Sequence, residues 1–500
     1  MPASASAPEV CTVAKPRCPN LRLLLPNFVK RLNASDRGVL VHRPPSSPRE
    51  LVACNLLFAR YSLTVGTFIL VAGRFGDDFG HKRIYIIGLA WYALWSLIAG
   101  LAVFSDHVLF VFARVFQGLG PAMTLPMGLA ILGQAFSNGP KKNMAFALFG
   151  GSAPVGAITG FTTGGLFVLP GAWWPWAYWS SAIALACLTI FSAWVIPDTP
   201  VNGETQKRSL RETLAHLDPL GMATGVIALV LFNFAWNQSI VVGWQQVYVY
   251  VCLILGVVFA AIFFLVELHW ASTPILPVAV FTSDVAFVLA CTACGWACFG
   301  IWVFYAATFI TQLRGVTPLQ LAAWYSPVIP SGLLAAFAVG KLLGKISPAW
   351  IMVIGMLGYS TGSILIATMP IDQTYWGQFF FGVLIMGVGM DTSFPAATII
   401  FSNAVPARYQ GMGASLVATI VNYSISLGLG FAGTVELQVN DGGITQQQKL
   451  HGYRGAFYME LGLAGLGLAL SLIFVAKECM AGRSKKAGVS GRGNIELPVD

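Results

Sequence analysis

Long apolar runs constrain this chain more than anything else in it. The stretch 240–268, IVVGWQQVYVYVCLILGVVFAAIFFLVEL, holds one carboxylate and no Lys or Arg. Runs of roughly 20 apolar residues match a hydrocarbon core about 30 Å thick, at about 1.5 Å per helical residue. Soluble domains carry about 25% charged residues; here charged residues are 10% of 500 and hydrophobic ones 56%. The chain therefore reads as an all-α polytopic membrane protein. Membrane β-strands alternate in segments of about 10 residues, and these unbroken runs do not.

Apolar runs set against polar punctuation predict thirteen spans, at 51–72, 84–104, 108–136, 143–168, 176–196, 219–237, 246–267, 285–311, 320–340, 350–369, 375–401, 412–435 and 455–476. The net charge of +9 is scattered over short loops and both ends. That is a topology signal rather than a face for nucleic acid. Alternating the loops gathers Arg74, Lys82, Arg83, Lys141, Lys142, Lys207, Arg208, Arg211, Lys341, Lys345, Arg408 and the tail from Lys477 on one side. Only Arg314, Lys449 and Arg454 fall on the other, so the first side is the cytosol. Residues 1–60 break the rule, because a span 51–72 that starts outside would carry a basic segment with it, and Arg60 falls inside that span. The expectation is that a first helix is missing there or replaced by unrelated, disordered sequence.

Three stretches carry unusual residues. GRFGDDFGHKR (73–83) sets Gly73, Gly76 and Gly80 among six ionisable residues. Its glycines suit a tight turn, and Asp77 suits a helix cap or a cation partner. ARVFQGLG (113–120) places Arg114 and Gln117 early in an apolar run, where arginine marks a paired functional site or snorkels to the interface. In GGSAPVGAITGFTTGGLF (150–167), Gly156, Gly160 and Gly164 recur every fourth residue, with Gly165 beside the last. Such a face lets another backbone approach closely.

In this order the three stretches resemble signatures of the major facilitator superfamily. Gly73, Asp77, Gly80, Lys82 and Arg83 match its cytoplasmic loop pattern G-x-L-a-D-r-x-G-r-k, while Asp78 and His81 depart from it. Arg114, Gln117, Gly118 and Gly120 match R-x-x-Q-G-x-G. Gly160, Gly164 and Gly165 match the exporters' G-P-x-x-G-G, with Phe161 where the proline would stand. GAWWPWAYW (171–179) is similar to the W-R-W opening of the following helix, with Pro175 for the arginine, although tryptophans there also suit an interfacial belt. The spans 219–237 and 246–267 resemble the two extra helices of the fungal 14-helix drug:proton antiporters. The resemblance implies two pseudo-symmetric six-helix bundles: 61–200 holding helices 2–6, a linker 201–275, a second bundle 276–476 and a cytoplasmic tail 477–500. It also implies a substrate site near the midplane and alternating access by rocking.

Candidate site residues follow from cost. Asp391, deep in an apolar run, suits a proton carrier, a partner for Arg114, or a carboxylate bonded to Thr392 and Ser393 near Pro395. Trp302 and Tyr305, with Asn422 and Tyr423, are candidates for a cavity wall. Glu267, Glu436 and Glu460 are expected at interfacial water. Cys291, Cys294 and Cys298 share a helix face that suits small-residue packing, or in principle a metal. Asn237-Gln238-Ser239 is a glycosylation sequon. The histidines (42, 81, 107, 216, 269 and 451) sit at loops or ends, without catalytic spacing, so no enzyme and no cofactor is expected.

The leading functional expectation is a monomeric, proton-coupled exporter of drugs or secondary metabolites at a fungal plasma membrane. Uptake or facilitated movement of a polar nutrient or inorganic solute is the alternative. A third is a gene model with a displaced N-terminus that does not transport.

Overall fold

Lipid supplies no hydrogen-bond partners, so each spanning backbone must bond within its own segment, and the chain answers with helices. The computed structural model describes residues 48–490 except 106, 137–138, 168, 170–172, 198–216, 272–273, 276–281, 344 and 405–409. Side chains of 48–60, 107, 402–404, 410–414 and 481–490 are also outside the description. Segment 1–47, most of the polar seam 201–218, the Arg60 side chain, Lys207, Arg208, Arg211 and Arg408 therefore lie outside the described residues.

The first seven helices are α1 (Pro48–Phe79), α2 (His81–Leu101), α3 (His107–Gln117), α4 (Leu119–Ala135), α5 (Pro140–Leu166), α6 (Trp176–Val195) and α7 (Pro219–Val242). They continue as α8 (Val247–His269), α9 (Ser283–Arg314), α10 (Pro318–Tyr325), α11 (Val328–Leu342) and α12 (Pro348–Ala367). The last are α13 (Gln378–Ala404), α14 (Gln410–Val439) and α15 (Gln446–Ser490). Among the described residues twelve stretches are long and apolar enough to cross a membrane, with α3–α4 and α10–α11 each forming one crossing. These match twelve of the expected spans, and the thirteenth, 51–72, lies within α1. Ile190, Phe191 and Trp194 stand exposed along α6, as lipid-facing side chains must.

The largest core belongs to α9–α15, where Trp302, Tyr305, Phe309, Tyr359, Phe379 and Phe457 are all enclosed. Val65, Ile69, Ala122 and Ala418 form a second, smaller core where α1, α4 and α14 meet. Two seams join early helices to late ones. At the α1–α14 seam, a Cβ on Gly66 would come 2.8 Å from the Tyr423 amide nitrogen. At the α5–α11 seam, a Cβ on Gly151 would meet Ala336 at 2.8 Å, and one on Gly165 would meet the Leu319 backbone of α10 at 3.0 Å.

The glycine face of α5 is a correction. Gly165 takes the expected close contact, but a Cβ on Gly156, Gly160 or Gly164 would meet nothing within 4 Å among the described residues. The packed face is Ala147, Gly151, Pro154, Ile158 and Gly165, a heptad-like series displaced around the helix from the glycine repeat.

The charged stretch 73–83 is not a loop either. Helix α1 runs on to Phe79, so Gly73, Gly76 and Asp77 are helical, and Gly80 alone makes the turn at φ 94°. An alanine there is expected to cost about 1–3 kcal/mol of backbone strain. The measurement is the thermal midpoint of detergent-extracted Gly80→Ala, which should fall below wild type.

Helices α7 and α8 pack on each other, and α7 also lies on α14. Ser426 Oγ donates to Asn233 Oδ1 at 2.9 Å, and Asn237 Nδ2 donates to the same oxygen at 2.7 Å. Buried polar side chains of this kind fix which face of a membrane helix meets its neighbour. Asn237 is only 8% exposed, so the sequon is closed. Peptide:N-glycosidase treatment should produce no mobility shift that Asn237→Gln removes.

Candidate functional site

Arg114 lies in the last turn of α3, which ends at Gln117 just before the break at Gly118. Its guanidinium donates to Gln117 Oε1 and lies over the rings of Tyr61 and Tyr178, at 5.0 and 5.8 Å from their centroids. Gln117 Nε2 donates to Ser96 Oγ at 2.7 Å, and Ser96 Oγ donates to the Tyr92 carbonyl at 2.7 Å. The Tyr61 and Tyr92 hydroxyls meet at 3.4 Å. A chain of polar groups thus links α1, α2 and α3, with the cation balanced by ring quadrupoles. The break makes this possible, because a Cβ on Gly118 would press on Thr64 at 2.9 Å and on the Tyr61 carbonyl at 3.0 Å.

Asp391 lies elsewhere, and no pair with Arg114 forms. It is 3% exposed on α13, and its Oδ2 has no hydrogen-bond partner among the described residues. Thr392 and Ser393 do not serve it: Thr392 Oγ1 donates to the Val388 carbonyl at 2.7 Å, and Ser393 Oγ lies 3.2 Å from the Tyr359 hydroxyl. Gly332 of α11 abuts the carboxyl, and a Cβ there would also meet Pro154 of α5 at 3.0 Å. Asp391 therefore faces the junction of α5, α11 and α13, the same seam that joins early helices to late ones. An ionised carboxylate buried without a partner is costly in a membrane interior.

At the α1–α2 junction, Asp77 does not cap α2, whose N-terminus has no side-chain cap. It lies 3.8 Å from His81. The Asp77 side chain is 43% exposed, and the partial desolvation it undergoes where α1 meets α2 raises its carboxyl to about 6, against the pull of Arg74 and with help from Asp78. Gly73 packs on Ser415 of α14, and Gly76 on Met127 of α4. Lys82 is half-buried and Arg83 exposed at the start of α2.

The four residues proposed for a cavity wall are held by separate contacts. Trp302 and Tyr305 are 1% and 0% exposed and belong to the late-helix core, because both project from the buried side of α9. The Tyr423 hydroxyl donates to the Leu229 carbonyl of α7 at 2.9 Å, fastening α14 to α7. Asn422 Nδ2 donates to the Ala418 carbonyl of its own helix at 3.0 Å.

The glutamates expected in interfacial water are buried. Glu436 Oε2 accepts from the Tyr305 hydroxyl at 2.8 Å, Glu267 Oε1 accepts from the Ile275 amide at 3.2 Å, and Glu460 Oε1 lies 2.6 Å from Ser363 Oγ. Reading distance from the end of a run misjudges Glu436 and Glu460, because α14 and α15 run well past their apolar stretches. A usable signal was present: Glu460 stands 17 residues before Lys477, about 25 Å along the helix. Cys291 and Cys294 pack against Gly467 of α15, and Cys298 turns toward Ser363.

The profile of the Major Facilitator Superfamily matches residues 51–273, 219–429 and 285–493. Efflux pump terG of Aspergillus terreus is 53% identical over 419 residues, 84% of this chain and 78% of that protein. The low affinity ammonium transporter of Saccharomyces cerevisiae is 50% identical over 430 residues, 85% of this chain and 81% of that protein. The crystal structure of the human organic anion transporter MFSD10 superposes with a TM-score of 0.58 at 14% identity, covering 84% of each chain. At that identity the likeness concerns the fold alone.

Proposed function

The chain belongs to the major facilitator superfamily, and we propose that within it the protein exports small, largely apolar or amphipathic organic molecules in exchange for protons. The observation that carries this reading is Asp391, a buried carboxylate with a free oxygen at the α5–α11–α13 seam. Rocking of the two halves opens that seam to one side at a time. A carboxyl there binds a proton when enclosed and releases it when wetted. The efflux function named for the 53% identical relative supports the outward direction. Under this reading residues 61–200 and 276–476 are the two rocking bundles and 201–275 the linker, with the plasma membrane as the site and one chain as the working unit.

A second reading, movement of a polar solute such as ammonium, is favoured by the 50% identical relative of that name. Inverted plasma-membrane vesicles separate the two. With an acid interior, export coupled to protons accumulates a lipophilic dye such as rhodamine 6G, and accumulation collapses with the gradient. Methylammonium transport without dye transport would establish the second reading. Dye accumulation that ignores the gradient would end the antiport claim.

A further inference from the structure

Glu460 is the most deeply enclosed carboxylate among the described residues that the seam does not use. It is 0% exposed on α15, facing α9 and α12. Its Oε1 lies 2.6 Å from Ser363 Oγ and 3.6 Å from Cys298 Sγ, while Oε2 has no partner. The decisive geometry is at Ser363. Its hydroxyl also lies 2.8 Å from the Tyr359 carbonyl, which can only accept. A hydroxyl has one proton, so an ionised carboxylate leaves Ser363 a single proton shared between two acceptors, whereas a protonated carboxyl supplies a second and gives each contact its own hydrogen bond. Ser363 then donates to the Tyr359 carbonyl, and the Glu460 Oε1–H donates to Ser363.

No cation offers a different solution. The groups facing Glu460 are the thiol of Cys298 and, beyond it, Cys294 on α9, and the Tyr325 hydroxyl on α10, while the Tyr359 hydroxyl of α12 turns to Ser393 and interacts with Cys298 and Asp391. Toward the outer end Tyr305 donates to Glu436, and the Tyr453 ring packs on Tyr305. None is basic, and no Lys, Arg or His pairs with Glu460 among the described residues.

Tyr325 connects this cluster to the seam. Its hydroxyl is buried, has no hydrogen-bond partner and lies within electrostatic range of Glu460. Its ring packs on Trp302 at 5.2 Å and stacks on Phe161 of α5 at 5.7 Å. It is the last residue of α10, just before the break that separates α10 from α11. Movement of α5 past α10 therefore acts directly on Tyr325, whose hydroxyl interacts electrostatically with the carboxyl.

We propose that Glu460 is a proton-binding site of the late helices, held by Ser363 and Cys298 and gated by Tyr325 through its stack on Phe161. The site is distinct from Asp391 and does not depend on the direction of transport or on the substrate.

The test is pH-titrated infrared difference spectroscopy on the purified full chain in phospholipid nanodiscs, with the proton as the probe and no transport substrate. A protonated-carboxyl C=O band is expected that Glu460→Gln removes and Ser363→Ala shifts in frequency. Should Glu460→Gln fold poorly, Glu460→Asp keeps a carboxyl in a changed position and must move the same band. Tyr325→Phe and Phe161→Ala are each expected to shift the titration midpoint of that band by about one pH unit, a tenfold change in proton affinity. If no band in the titration responds to the Glu460 or Ser363 substitutions, the proton site is refuted. A band with the same midpoint in Tyr325→Phe and Phe161→Ala refutes the gate. Neither result bears on dye export, so the proposal and the exporter reading fail separately.

Discussion

Asp391→Asn is expected to abolish gradient-driven transport to the level of empty vesicles while leaving the protein inserted. Asparagine keeps the size and shape of the side chain and removes only the ability to bind and release a proton. Its surroundings are crowded but not bonded to it: Gly332 abuts the carboxyl, and Oδ2 has no partner to lose. Folding should therefore change by little more than the about 1–3 kcal/mol of one unsatisfied buried amide. Substrate exchange across vesicles without a gradient should persist, because it needs rocking but not protonation. Asp391→Glu is the companion variant, as it restores the proton but intrudes on Gly332 and should transport slowly. Gradient-driven transport by Asp391→Asn at the wild-type rate would remove Asp391 from the coupling mechanism.

Gly66→Val should have the largest effect on stability. A Cβ at this position would lie 2.8 Å from the Tyr423 amide nitrogen and 3.1 Å from its Cα. Both are backbone atoms, so no rotamer change relieves the clash and α1 must move off α14. Overpacking a tight site costs about 1–3 kcal/mol. Here the second core of Val65, Ile69, Ala122 and Ala418 opens with it. A marked fall in the thermal midpoint of detergent extracts is expected, with loss of transport. Tyr423→Phe, which only removes the bond to the Leu229 carbonyl, should cost about 1 kcal/mol. A Gly66→Val protein as stable as wild type would mean that α1 and α14 do not pack this closely in the membrane.

The two substitutions illustrate what sequence reading could and could not reach. Asp391 stood out because a carboxylate inside an apolar run is costly wherever the helix packs. Gly66 did not, because its importance depends on Tyr423, more than three hundred residues away. The same limit applied to the glycine repeat Gly156, Gly160 and Gly164, where periodicity identified a face but not what covers it. Arg114 and Gln117 are neighbours on one turn, so their bond was within reach, but the tyrosines that flank the guanidinium come from α1 and α6. Trp302 and Tyr305 share this limit, since an aromatic helix face reads alike whether it meets core, lipid or cavity.

Charge placement and run length by themselves determined that this chain is a bundle of membrane helices, where twelve of its spans lie, and, through three ordered motifs, its family. Those properties follow from the bilayer, which acts on each segment separately: apolar length, basic flanks and internally bonded backbone need no partner to take effect. The tertiary structure alone decided that 73–83 is a one-residue turn and that Asn237 is sealed. It alone placed Asp391 on a seam and Glu460 in a closed ring of hydroxyl and thiol. Those properties are sums over side chains from distant segments, and burial and hydrogen bonding have no value until the helices have met.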